Sequence, residues 1–345
     1  MENMKTILEY AKDQKATDVH ISVGNPVVFR VGRKLVGVTK ERLTADQSRK
    51  LSLDLLTDEQ EVKFRENLDY DVMLANESGR FRVNIGFFNG DIGATIRILP
   101  EEPQAIKDLL LPEAVRELAH RTKGLVLITG STSQGKTTTM SSMIDEVNAN
   151  CKKHIITIED PIEYVHKNKK GIVRQREIGR DTKTFYSGLR AALRQDPDVI
   201  AIGEMRDFDT IKIALAAAET GILVLSTLHV ISIDKVIERL LSYGPAEAAD
   251  NLRFLLAESL QGIIHQELVP TVNNRQRVAC EVLVATNAAR NVIRRNTGFF
   301  LRSVIETGKK YGMTTMVESI EGLVAEGTIS ADVARSVLIN YQKVN

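Results

Sequence analysis

Tryptophan is absent from this 345-residue chain, and there are only two cysteines, Cys151 and Cys280, far apart in sequence. With no C-x-x-C pair, a four-cysteine zinc site is excluded, and so few thiols suit a reducing compartment better than a disulfide scaffold. No apolar run reaches the roughly 18 residues that a membrane span needs, and Met1-Glu2-Asn3-Met4-Lys5 lacks the apolar core of a signal peptide. These absences predict a cytoplasmic chain that inserts into no membrane directly and reaches one only through a partner. A net charge of +1, with no basic stretch rich in aromatics, argues against nucleic acid as a partner and against a nucleic-acid motor. Internal repeats and low-complexity tracts are also missing.

The stretch that stands out is Gly130-Ser131-Thr132-Ser133-Gln134-Gly135-Lys136-Thr137, which fits the phosphate-binding pattern G-x-x-x-x-G-K-[ST]. Gly124 to Thr129 reads as a buried strand entering it, and Thr138 to Val147 as the helix leaving it. In that context the loop's N–H groups face inward at a helix N-terminus and cradle phosphates. Gly130 through Thr138 are the expected nucleotide-binding residues. Lys136 would reach the β- and γ-phosphates, and the Thr137 hydroxyl would bind Mg²⁺, so ATP and Mg²⁺ are the expected cofactors.

Before this loop, Met4, Ile7, Leu8 and Ala11 recur at helical spacing, and Thr44 with Gln47 and Thr57 with Gln60 form two capping boxes. Short strands fall near Val19–Ser22, Val27–Val31, Leu35–Val38, Tyr70–Ala75, Arg80–Phe88 and Gly93–Ile98. Residues 1–99 are thus expected to be a smaller α+β domain. The Pro- and Glu-rich Leu99-Pro100-Glu101-Glu102-Pro103 opens a linker over 100–115. From there to 345 strands alternate with helices, the pattern of an α/β domain on a mostly parallel sheet. It ends in a helical subdomain from about 286 to 345.

Three further segments carry polar residues at strand ends, where parallel sheets bind ligands. His154 to Glu159 runs into Asp160-Pro161-Ile162-Glu163, and Glu163 could take a proton from an attacking water or orient it. Asp198 to Gly203 ends at Glu204, placed to sit beside Mg²⁺ and the γ-phosphate. Leu223 to Leu228 ends at His229, which could sense the γ-phosphate; a lone histidine after a strand is more often structural. Arginines matter because phosphoryl transfer spreads charge over equatorial oxygens. Arg82, Arg97, Arg194, Arg206 and Arg239 are all available, and spacing alone does not choose among them.

In order, the loop, Ile158-Glu159-Asp160-Pro161-Ile162-Glu163, Ala192 to Asp198 with Gly203-Glu204-Met205-Arg206-Asp207, and Ala218-Glu219-Thr220-Gly221 through Thr227-Leu228-His229 resemble the Walker A, Asp box, Walker B and His box of the type II/type IV secretion ATPase superfamily. Ala16 to Ser22 resembles that family's N-terminal signature. Ala288 to Arg295 resembles the C-terminal motif of type IV pilus retraction ATPases, which, with the missing cysteines, sets the chain apart from assembly and type II secretion ATPases. The resemblance implies a PAS-like N-terminal domain, a RecA-like P-loop ATPase domain, ATP bound between the two, and a homo-hexamer. It implies ATP hydrolysis coupled to pilus retraction and twitching motility, at the cytoplasmic face of the inner membrane, through a platform protein and with a second pilus ATPase as a further partner. By motif position Glu163 is the general base, Glu204 the Walker B carboxylate that holds Mg²⁺ through water, His229 the second His-box histidine, and Arg82 and Arg97 the charge-stabilising arginines. Three departures stand out: Ser133-Gln134 replaces Gly-Ser, Ile222 replaces the first His-box histidine, and Arg295 replaces an acid. The first two keep open a weakly active or inactive accessory ATPase as the alternative, the third bears on partner contacts, and a pilus-assembly or type II secretion ATPase is the other alternative.

Overall fold

The computed structural model describes residues 3–32, 34–273 and 275–344 and divides into two compact units, Met1–Glu101 and Glu102–Asn345.

The first unit contains helices α1 (Met4–Asp13), α2 (Ala45–Leu53) and α3 (Asp58–Asn67). Its strands are β1 (Asp18–Ile21), β2 (Val28–Val31), β3 (Lys34–Gly37), β4 (Asp69–Asn76), β5 (Gly79–Phe88) and β6 (Asp91–Leu99). They form one antiparallel sheet in the order β3-β2-β1-β6-β5-β4. The α1 stripe of Met4, Ile7, Leu8 and Ala11 is buried with Phe29, Phe64 and Phe81. Both expected capping boxes form, at Thr44–Gln47 and Thr57–Gln60.

In the second unit a seven-stranded sheet is flanked by helices. Its elements are α4 (Ile106–Leu109), α5 (Glu113–Ala119), β7 (Gly124–Thr129), α6 (Lys136–Asn150), β8 (His154–Glu159), β9 (Ile172–Glu177), α7 (Phe185–Ala192), β10 (Val199–Ile202), α8 (Phe208–Glu219), β11 (Leu223–Leu228), α9 (Asp234–Leu241), α10 (Ala249–Ser259), β12 (Leu260–Pro270), β13 (Gln276–Val284), α11 (Asn287–Arg294), α12 (Leu301–Thr307), α13 (Met316–Ala325) and α14 (Ala331–Val344). The strand order is β13-β12-β7-β11-β10-β8-β9, parallel except for the β12–β13 hairpin.

Central strands read as unbroken apolar runs because both faces are covered. Leu125 and Leu127 pack with Ile211, Leu215 and Leu256 on one side; Val126 and Ile128 pack with Val115, Met140 and Ile144 on the other. Residues 100–115, expected as linker, carry α4 and the start of α5. Ile106, Ala114 and Val115 are buried in that second core, so all but the first two of these residues lie in the second unit. No helix among the described residues is long and apolar enough to cross a membrane.

Candidate nucleotide site

β7 delivers the chain into the loop 130–135, and α6 starts at Lys136 with Gly135 as its N-cap in the left-handed region. Two glycines are required by geometry. A Cβ on Gly130 (φ +146°) would meet the Gln266 carbonyl oxygen at 2.5 Å, and Gly135 (φ +79°) adopts a conformation that side chains disfavour. The Lys136 ammonium lies along the loop, donating to the carbonyls of Gly130 at 2.9 Å and Ser131 at 2.6 Å. It is buried, and that burial lowers its pKa to about 8 against the pull of Glu204. A nearby anion would restore the charge.

Parallel pairing sets the polar ends of β7, β10 and β11 side by side. The Thr227 hydroxyl donates to the Gly203 carbonyl, which locks the end of β11 to that of β10. His229 and Glu204 follow directly. His229 Nδ1 lies 3.3 Å from Lys136 Nζ and 3.5 Å from Thr132 Oγ1, while Nε2 lies 3.6 Å from Glu204 Oε2. Partial burial, then the Lys136 charge, lower the His229 pKa. Arg206 pairs with the other Glu204 oxygen at 2.6 Å.

The acidic residues at and beyond the end of β8 fall into two environments. Glu159 is buried, accepting from the Thr157 hydroxyl at 2.5 Å and from Gln175 Nε2 at 3.0 Å. Glu163 is half-buried in the loop beyond, and its neighbour Tyr164 ties that loop to α6 through a 2.9 Å hydrogen bond between its hydroxyl and that of Thr138. Arg82 and Arg97 lie in the other unit, directly opposite each other on β5 and β6; Arg97 is bound to Asp18 at 2.9 Å. Arg239 stacks over Tyr243.

The family model for type II/IV secretion system proteins matches residues 1–297. The chain belongs to that family. The type IV pilus retraction ATPase PilT of Pseudomonas aeruginosa is 41% identical over 95% of this chain and 96% of its own length. A twitching motility protein of Neisseria gonorrhoeae is 39% identical over 92% of this chain and 86% of its own. Among solved structures, that of the pilus retraction motor PilT with bound ADP superposes with a TM-score of 0.86 at 40% identity, covering 96% of both chains.

In this type II/IV secretion system protein Ile222 lies just before β11, at the opposite end of the strand from His229, roughly 20 Å away at about 3.3 Å per residue. It packs against the apolar core. The Ala288–Arg295 segment lies in α11 except for Arg295, its C-cap; Arg290 donates to the carbonyls of Ala257 and Glu258 at the end of α10, and Arg294 pairs with Glu258. Sequence reasoning gave no role to Glu159, Tyr164, His265 or Gln266. His265 and Gln266 sit on β12, beside the loop only because the sheet puts that strand next to β7. His265 Nδ1 is 3.1 Å from Thr129 Oγ1, and burial pushes its pKa down to about 4.

Proposed function

We propose that the chain is a Mg²⁺-dependent ATPase motor, a homo-hexamer that powers type IV pilus retraction and hence twitching motility. The observation that carries this reading is the convergence of Lys136, Glu204 and His229 at the phosphate loop, together with the likeness to PilT. In this reading the second unit is RecA-like, with α11 to α14 as its C-terminal subdomain, and the antiparallel first unit is the PAS-like domain. The ring works at the cytoplasmic face of the inner membrane, against a platform protein and beside a second pilus ATPase.

The loop's N–H groups and Lys136 would bind the phosphates of ATP. The donor set fits magnesium: Thr137 and Glu204 offer hard oxygens, and that ion keeps most of its octahedron for water and phosphate. Among the described residues no cluster of three or more His, Cys, Asp or Glu could hold a metal without such help. Bound magnesium would neutralise phosphate charge. Glu163 would take the proton of the attacking water, Glu204 would hold a magnesium-bound water, and His229 would report γ-phosphate occupancy to the strand ends. Arg82 and Arg97 are the proposed charge-stabilising arginines.

The test is ATP turnover per protomer across protein concentrations, with Glu204→Gln alongside. Turnover that rises with concentration and vanishes in the variant is expected. ATP binding without turnover at any concentration would favour an accessory subunit. A deletion strain should be hyperpiliated; a bald strain would indicate assembly.

A further inference from the structure

β12 outlasts the strand beside it. β7 ends at Thr129, paired with His265, whereas β12 runs on to Pro270. Beyond His265 the edge of β12 faces the phosphate loop. There Gln134 stands in for the missing strand: its side-chain Oε1 accepts from the Leu268 backbone N–H at 2.5 Å, and its backbone carbonyl accepts from Gln266 Nε2 at 2.7 Å. The neighbouring Ser133 is held at φ +61°, a left-handed conformation that glycine adopts freely and serine only at a cost.

We propose that Gln134 is a positioning residue for the nucleotide, a side-chain clamp that fixes the loop on β12 and holds Ser133 in its left-handed conformation. The proposal rests on reading the loop as a nucleotide site. In this chain the two unusual residues are one device: serine introduces the strain, and the glutamine side chain, by its bond to Leu268 beside the backbone bond from Gln266, offsets it. The loop's N–H groups then keep the orientation that phosphates require.

Gln134→Met keeps length and volume but removes the acceptor. One net hydrogen bond corresponds to about a five- to tenfold change. The Kd for mant-ADP should rise by that factor in the full chain, with kcat at saturation changing less. Amide exchange in the nucleotide-free protein should quicken in peptides spanning 130–136 and 266–270. In a Ser133→Gly background the same substitution should have a smaller effect on Kd, because the strain is gone. Gln266→Leu, which removes only the second bond, should shift exchange and Kd in the same direction by less, and serves if Gln134→Met does not fold. Unchanged exchange, faster exchange with unchanged Kd, or an equal loss in both backgrounds overturns the clamp. Wild-type protein that binds no mant-ADP is the separate signature of a failed nucleotide reading, and overturns this role with it.

Discussion

The ammonium of Lys136 faces Nδ1 of His229 across 3.3 Å. An ammonium has only protons to offer, so this contact is a hydrogen bond when Nδ1 carries no proton, and the lowered His229 pKa runs in that direction. The lysine, the imidazole and the carboxylate thus form a chain from the phosphate loop to the end of β10, and each member depends on the charge of the next.

In the proposed phosphate-binding role, the lowered pKa of Lys136, about 8, gives nucleotide binding a pH dependence. Phosphate requires the charged lysine, so ADP affinity should be level below pH 8 and fall by up to about tenfold per unit above it. For folding the sign is opposite. The unfolded chain holds this proton up to its ordinary value and the folded chain releases it earlier, so stability rises between pH 8 and about 10.5. Titrating mant-ADP binding from pH 7 to 10 checks the first; Lys136→Met should bind weakly, with no dependence on pH in that range.

Glu163 and Glu159 should separate cleanly. Glu163→Gln is expected to lower kcat by about 10²–10⁴-fold, the usual reach of a general base, with the Kd for ADP unchanged. In Glu159→Gln the loss should appear first as a lower Tm, because the buried Thr157 hydroxyl and the half-buried Gln175 amide lose the carboxyl oxygen they share. Steady-state kinetics and thermal melts on both variants decide it; equal kcat losses with unchanged Tm would mean that the roles were misassigned.

Gly130→Ala tests the approach of the loop to β12. The new methyl meets a backbone oxygen at 2.5 Å with φ at +146°, so about 2 kcal/mol or more of stability should be lost, with nucleotide binding. Calorimetry with and without ADP reads both.

Glu281 lies buried under α14. Burial pushes its pKa up to about 7, opposed by the Tyr341 hydroxyl, which donates to it at 2.7 Å. Asp234 and Arg302 also act on it, and His265 is its partner across the β12–β13 ladder. A carboxyl with a raised folded pKa stabilises fully below its unfolded value, and that stability is lost as pH rises from about 4.5 through 7. Tm should therefore decline over this window, by at most about 3 kcal/mol in free energy. Glu281→Gln should flatten the slope and gain stability at pH 8.

Much of this was legible because central strands buried on both faces leave apolar runs that end in one polar residue, as at Thr129, Glu204 and His229. β9 was not legible: it is an edge strand, and Arg174, Gln175 and Arg176 break any apolar run. The short helices over Ile106–Leu109 and Glu113–Ala119 hid behind the Pro and Glu signal at 99–103, since one or two turns are too few to establish a helical period. The partners of Gln134 lay 132 and 134 residues away, and no local pattern reports a contact made by sheet order. The value of Ile222 as a departure also needed the fold, which places it at the strand end remote from the loop 130–135.

Tyr341 packs its ring against His265, whose Nδ1 meets Thr129 at the entrance to the loop. The helix α14 is therefore linked, through His265 on β12, to the strand that enters the loop. A truncation ahead of Tyr341, or a tag that pulls α14 away, is expected to reach the loop 130–135 through His265 and not to act as trimming of a remote tail. Affinity handles for this protein belong elsewhere.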